Sequence, residues 1–171
     1  SRIAAHLEGA QTILDVGCGI GLLTTFYAQR CPGATVVGID RSPASITLAR
    51  QRAQALGLSN LRFECLDLDQ HELSGRYDLI VATHTLLQAE QDPGLPSSDW
   101  QDFSRALEAG VQSDFEQRTG VGRRLDRLRN ALAENGRMIL FEKTRQLARR
   151  VPFQRALAAR GLMPLRSPEP I

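Results

Sequence analysis

Residues 13–24, ILDVGCGIGLLT, constrain the fold more than any other stretch of this chain. An apolar run carrying one acid, Asp15, meets three glycines at alternate positions, Gly17, Gly19 and Gly21, and the spacing of apolar residues then changes from strand-like to helical. Glycine admits left-handed backbone and lacks the Cβ that would keep a ligand at a distance. A strand, a glycine turn and a helix also leave unpaired N–H groups at the helix start, where an anionic group is favoured. The loop is therefore expected to bind something with its own backbone.

The rest of the chain repeats that alternation. Strands are expected at 12–17, 34–40, 61–66, 77–83 and 137–142, with a sixth beginning within 162–167. Helices are expected at 20–30, 43–57, 121–134 and 149–160, the second of them capped by Ser42 and Pro43 and ended by Gly57. Gly136 is expected to break the third of these helices. After the fourth strand the turn-rich QDPGLPSS gives way to an amphipathic insert at about 95–120, with Ser98 and Gln101 at capping-box spacing ahead of Trp100, Phe103, Leu107 and Val111. Strands alternating with helices predict an α/β fold: a doubly wound, mostly parallel sheet with helices on both faces, in three layers.

Composition narrows the class. A length of 171 residues with 42% hydrophobic side chains suits one domain, expected to span 1–171. No apolar run approaches the roughly 20 residues needed to cross a bilayer, and no charged segment followed by an apolar signal core opens the chain. A cytoplasmic protein is expected. Three cysteines, Cys18, Cys31 and Cys65, form neither an even disulfide set nor a CxxC pair, and His6, His71 and His84 are scattered, so neither disulfides nor a metal site is expected. The net charge of +2 hides an asymmetry: 9 basic against 15 acidic side chains in 1–120, but 12 against 4 in 121–171. That basic third suits either an acidic partner or a solvated helix face bearing Arg123, Arg124, Arg127 and Arg129; nucleic acid is left open, although no aromatics are interleaved with the charges.

Two acids stand where such sheets bind ligands, at the carboxyl ends of strands. Asp40 closes the second strand, where a carboxylate can accept from both hydroxyls of a ribose; Asp67 follows the third, in reach of an exocyclic amine. The run from Asp15 to Gly21, together with Asp40, Asp67, Asp78 and the later LAENGRMILFE, resembles the class I S-adenosylmethionine-dependent methyltransferases over about residues 10–165. The resemblance implies S-adenosyl-L-methionine as cofactor. By it, Asp15, Gly17, Cys18, Gly19 and Gly21 shape the methionyl pocket, Asp40 with Arg41 holds the ribose, Asp67 with Leu68 frames the adenine, and Thr83 and His84 line the methionyl end. Asp78 is expected to be structural.

Methyl transfer is an in-line displacement, so holding the two reactants in line and excluding water is the main task. His84 is the candidate general base where the acceptor must lose a proton, since an unperturbed histidine titrates near about 6.5. Amino-methylases of bases carry Asn or Asp before Pro-Pro-aromatic after strand four; ATHTLLQ stands there instead, which disfavours that reaction, and a small-molecule acceptor is expected, with Trp100, Phe103 and Phe115 either a lid over it or ordinary packing of the insert on the sheet's edge. Against the family pattern both ends come up short, so a domain trimmed from a longer parent chain with further domains is expected. Two other readings remain: a non-catalytic interaction domain of this fold, and a nicotinamide-dependent oxidoreductase. Intact glycines and Asp40 argue against the first, and GxGxG in place of GxGxxG against the second.

Overall fold

A computed structural model of the chain describes residue 3 and residues 6–87, 109–142 and 147–165. These fall into two compact units, one drawn from 1–86 and 130–142, the other from 87–129 and 143–171.

The first unit is a five-stranded sheet in the order β3-β2-β1-β4-β5, every pairing parallel. Its strands are β1 (Thr12–Val16), β2 (Thr35–Asp40), β3 (Leu61–Cys65), β4 (Tyr77–Thr83) and β5 (Leu132–Phe141). Helix α1 (Leu22–Arg30) follows β1 and α2 (Pro43–Ala55) follows β2, because parallel neighbours need a crossover. Sequence order reverses between β1 and β4, and it is at the carboxyl ends of such a switch point that open parallel sheets bind ligands.

Side-chain alternation explains the layers. Ile13, Leu79 and Val81 point to one face and pack with Val36 and with Tyr27 and Ala28 of α1, joined by Ile3 and Leu7. Phe63 of β3 packs on Ile46, Ala49 and Ala53 of α2. Leu14, Val16, Ile80 and Ala82 point to the opposite face and are equally buried, as expected for strands covered on both sides.

The second unit holds α3 (Ala109–Thr119), most of α4 (Val121–Ala131) and α5 (Leu147–Ala158). Arg160 ties it together: its guanidinium bonds Glu116 at 2.8 Å and Asp126 at 2.7 Å. Phe115, expected either as part of a lid or as ordinary packing, is 1% exposed and serves as packing; Arg124, expected on a solvated face or a basic surface, is 4% exposed. The Ser98–Gln101 capping box, Trp100 and Phe103 lie outside the described residues.

Two boundaries differ from expectation. The helix expected to reach 134 ends at Ala131, and β5 starts at Leu132 rather than 137. Leu132 pairs with Tyr77 but Arg137 with Leu79, so 133–136 loop out of the ladder. A Cβ on Gly136 would lie 2.9 Å from the Tyr77 carbonyl oxygen, so this glycine lets the looped residues pack back on β4 rather than stopping a helix. The sixth strand expected from 162 does not form over 162–165, and 166–167 lie outside the described residues.

Candidate functional site at the carboxyl edge

Gly17, Gly19 and Gly21 all adopt positive φ, at 70°, 53° and 77°. The turn is closed by its own backbone: Gly17 and Cys18 N–H both donate to the Ile39 carbonyl at 2.9 and 3.0 Å, and Gly21 N–H donates to Cys18 at 2.9 Å. Gly21 caps α1 without any side-chain bond, leaving the helix start to backbone groups alone. At Gly21 a Cβ would strike the Phe63 ring at 2.7 Å, so this glycine also lets α1 approach β3.

Asp40 is already engaged by the loop. Its Oδ2 accepts the Gly19 N–H at 2.9 Å and its Oδ1 the Ser42 N–H at 2.8 Å. A carboxylate has about four acceptor positions, so two remain for hydroxyl donors while the other two fix the carboxylate's orientation. Arg41 beside it is exposed. Asp67 begins a turn beyond β3, its Oδ1 accepting from Asp69 N–H at 2.8 Å, and Leu68 is buried next to it. Leu66 N–H donates to the Asp40 carbonyl at 2.9 Å, linking the tips of β2 and β3.

Asp15 sits beneath the loop, 2% exposed, and accepts from the Thr24 hydroxyl at 2.6 Å. Burial pushes its carboxyl up to about 7; the Thr24 bond opposes this and the Asp40 charge adds to it. The Cys18 thiol is pushed up to about 12, first by burial and then by the charges of Asp15 and Asp40, so it stays protonated at neutral pH. Cys18 thus contributes backbone and bulk, with no thiolate chemistry.

Thr83 ends β4 with a buried hydroxyl that has no hydrogen-bond partner. His84, next in line, is exposed and left-handed at φ 53°, and its N–H donates to the Phe141 carbonyl at 2.7 Å. Thr85 and Leu86 N–H both donate to Glu142 Oε1, at 3.0 and 2.8 Å. The glycines, Asp40, Asp67 and His84 therefore all lie at the carboxyl ends of four adjacent strands. Asp78 lies at the other edge, where its Oδ2 accepts from Gln11 N–H, Thr12 N–H and the Thr12 hydroxyl at 2.9, 2.9 and 3.0 Å. Sequence reasoning missed Thr24, Thr85 and Glu142; the one available signal was an acid closing the strand RMILFE at the same edge as Asp40.

The sequence and the fold both match known proteins. Among relatives, a malonyl-[acyl-carrier protein] O-methyltransferase of Acetivibrio thermocellus is 44% identical over 73 residues, covering 43% of this chain and 25% of that protein. A trans-aconitate 2-methyltransferase of Deinococcus radiodurans is 40% identical over 89 residues, 52% of this chain and 32% of that one. The chain thus spans about a quarter to a third of the length of these curated relatives. The fold matches that of the O-methyltransferase from a trans-AT PKS multienzyme of Brevibacillus brevis, solved with S-adenosyl-L-homocysteine, at TM-score 0.56, 18% identity and 77% coverage of this chain and 35% of that one. It also matches StiE O-MT at TM-score 0.65 and 16% identity, over 93% of this chain and 49% of that chain. A family described as a methyltransferase domain matches residues 7–151. With that match over most of its length, this chain belongs to the methyltransferase domain family.

Proposed function

We propose that this chain binds S-adenosylmethionine over the 17–21 turn and directs its methyl group to a small-molecule acceptor. The observation that carries the reading is the set of three left-handed glycines at the β1–β4 switch point, flanked by Asp40 and Asp67 on the next two strand tips. When bound, the cofactor supplies an electrophilic methyl on a sulfonium. The residues present fit such a group. Asp40 offers two unused acceptor positions to the ribose hydroxyls, Asp67 and Leu68 a polar and an apolar wall for adenine, and the backbone N–H groups at the start of α1 a seat for the carboxylate. The unpartnered Thr83 hydroxyl at the methionyl end is a polar group awaiting a partner.

The chain's own part in the reaction is positional: Asp40 and the glycine turn fix one reactant, and His84 stands at the strand tip to take a proton from an acceptor that must lose one. The relative named for trans-aconitate supports a small acceptor here, and the one named for malonyl-[acyl-carrier protein] a small acyl group held on a carrier. Three free thiols and the lack, among the described residues, of any helix long and apolar enough to cross a membrane support a cytoplasmic setting.

Calorimetric titration with S-adenosylhomocysteine tests the binding step. At 100 times its dissociation constant the ligand should add about 2.7 kcal/mol of stability, and Asp40→Ala should weaken binding strongly. Absence of both heat and thermal shift at high ligand concentration would sink the reading.

A further inference from the structure

Glu142 closes β5, 57 residues from Thr85, yet its Oε1 accepts two successive N–H groups of the segment leaving β4. We propose that Glu142 is a positioning residue: by holding the Thr85 and Leu86 N–H groups it fixes Thr85 against the glycine turn and the His84 backbone beside it, and so sets the methionyl end of the site. This inference rests on the reading of the turn as the cofactor seat.

Three consecutive donors, His84, Thr85 and Leu86, end on two consecutive residues, Phe141 and Glu142. Two of the bonds go to a carboxylate, the stronger kind. The anchorage explains an otherwise unfavourable backbone: among the described residues His84 is the one non-glycine with positive φ, a conformation that persists only where its surroundings impose it. The consequence reaches β1. Thr85 Oγ1 lies 3.1 Å from the Val16 carbonyl and 3.0 Å from that of Thr83, and its side chain fills the space a Gly17 Cβ would take, 2.1 Å from that position. A continuous set of contacts thus runs from the end of β5 through the tip of β4 to the first glycine of the turn. Both of these bonds fall on one oxygen of Glu142, Oε1, whereas Asp40 divides its two backbone bonds between Oδ1 and Oδ2.

The test uses the full chain with Glu142→Gln, which keeps an acceptor oxygen, Glu142→Met, which keeps length without one, and Glu142→Asp, which withdraws the carboxylate by one methylene. Two readouts are taken: amide hydrogen exchange at Thr85 and Leu86 without ligand, and S-adenosylhomocysteine affinity by calorimetry. E142M should exchange faster at both amides and bind about tenfold more weakly or worse, the scale of losing one charge-assisted hydrogen bond; E142Q should restore both, and the acceleration at Thr85 and Leu86 should exceed that at Leu14 and Ile80, which reports any loss of global stability. If E142M does not fold, E142D must show the same two losses. Unchanged exchange in a folded E142M or E142D overturns the anchorage, and faster exchange with parental affinity overturns the positioning role. A parent that binds no S-adenosylhomocysteine fails the cofactor reading itself, a result distinct from a parent and an E142M that bind alike.

Discussion

Gly17 and Gly19 share a left-handed backbone but have different neighbours, and the difference can be measured. An alanine Cβ at 17 would meet Thr85 Oγ1 at 2.1 Å, whereas at 19 nothing lies within 4 Å. Gly19→Ala should cost about 1–2 kcal/mol, the strain of left-handed backbone alone. Gly17→Ala should cost about 1–3 kcal/mol beyond that, because Thr85 must move. Urea denaturation of the two variants checks it; equal losses would mean that Thr85 does not pack where described. Asp15 makes a prediction in pH. Its folded carboxyl titrates near about 7 against an ordinary 3.8, with burial the main cause, so the folded state binds the proton more tightly. The parent therefore loses stability as pH rises from about 4 to about 7, by up to about 4 kcal/mol. Asp15→Asn cannot ionise and keeps an oxygen for Thr24, so its stability relative to the parent should climb across that window and level off above it. A gap that narrows with rising pH would contradict the burial argument.

At the scale of elements, the legible ones carried their own punctuation. Helix α2 starts where Ser42 and Pro43 predict, with the Ser42 side chain accepting from Ser45 N–H, and Gly57 at φ 63° follows its end. The start of β5 was not legible, because the residues that decide it are distant: 133–136 loop out to suit Tyr77 of β4. The same holds for the site. Glycines and acids at strand ends can be read one strand at a time, but nothing local says that Glu142 meets Thr85 or that His84 turns left-handed. Asp78 shows how such a distant tie can be tested. Burial would raise its carboxyl, but the bonds from Gln11 and Thr12 outweigh it and hold it below the usual 3.8. The folded state thus binds this proton less tightly, so the stabilisation is present above about pH 4 and is lost as pH falls through the lower folded value. Asp78→Ala should cost about 1 kcal/mol at neutral pH, a modest figure because the group is partly exposed. The deficit should shrink in acid; one that persists unchanged at low pH would show that ionisation plays no part.

On the scale of the molecule, the two edges of the sheet divide the work. The amino edge is tied by groups that have found their partners: Asp78 on Gln11 and Thr12, and Asn60, whose side-chain amide nitrogen lies 3.0–3.1 Å from the carbonyls of Ala28, Cys31 and Ala34. The carboxyl edge carries the left-handed glycines, the half-used Asp40 and the unpartnered Thr83 hydroxyl. Alternating strands and helices announced this division, since a parallel sheet puts all carboxyl ends on one side; strand order was not announced, and it is the order that sets β4 beside β1. Hydrogen exchange with and without S-adenosylhomocysteine should follow the division. Amides that exchange by local opening at 17–21, 40–42, 67–71 and 83–86 should slow when the ligand is present, while those at Gln11, Asn60 and Asp78 should not. Amides of β1 and β4 that exchange only through global unfolding should slow by the ligand's full binding energy. Slowing centred on Gln11 and Asp78 would place the ligand at the amino edge, where Asp78 and Asn60 already hold their partners, and would leave the glycine turn without a purpose.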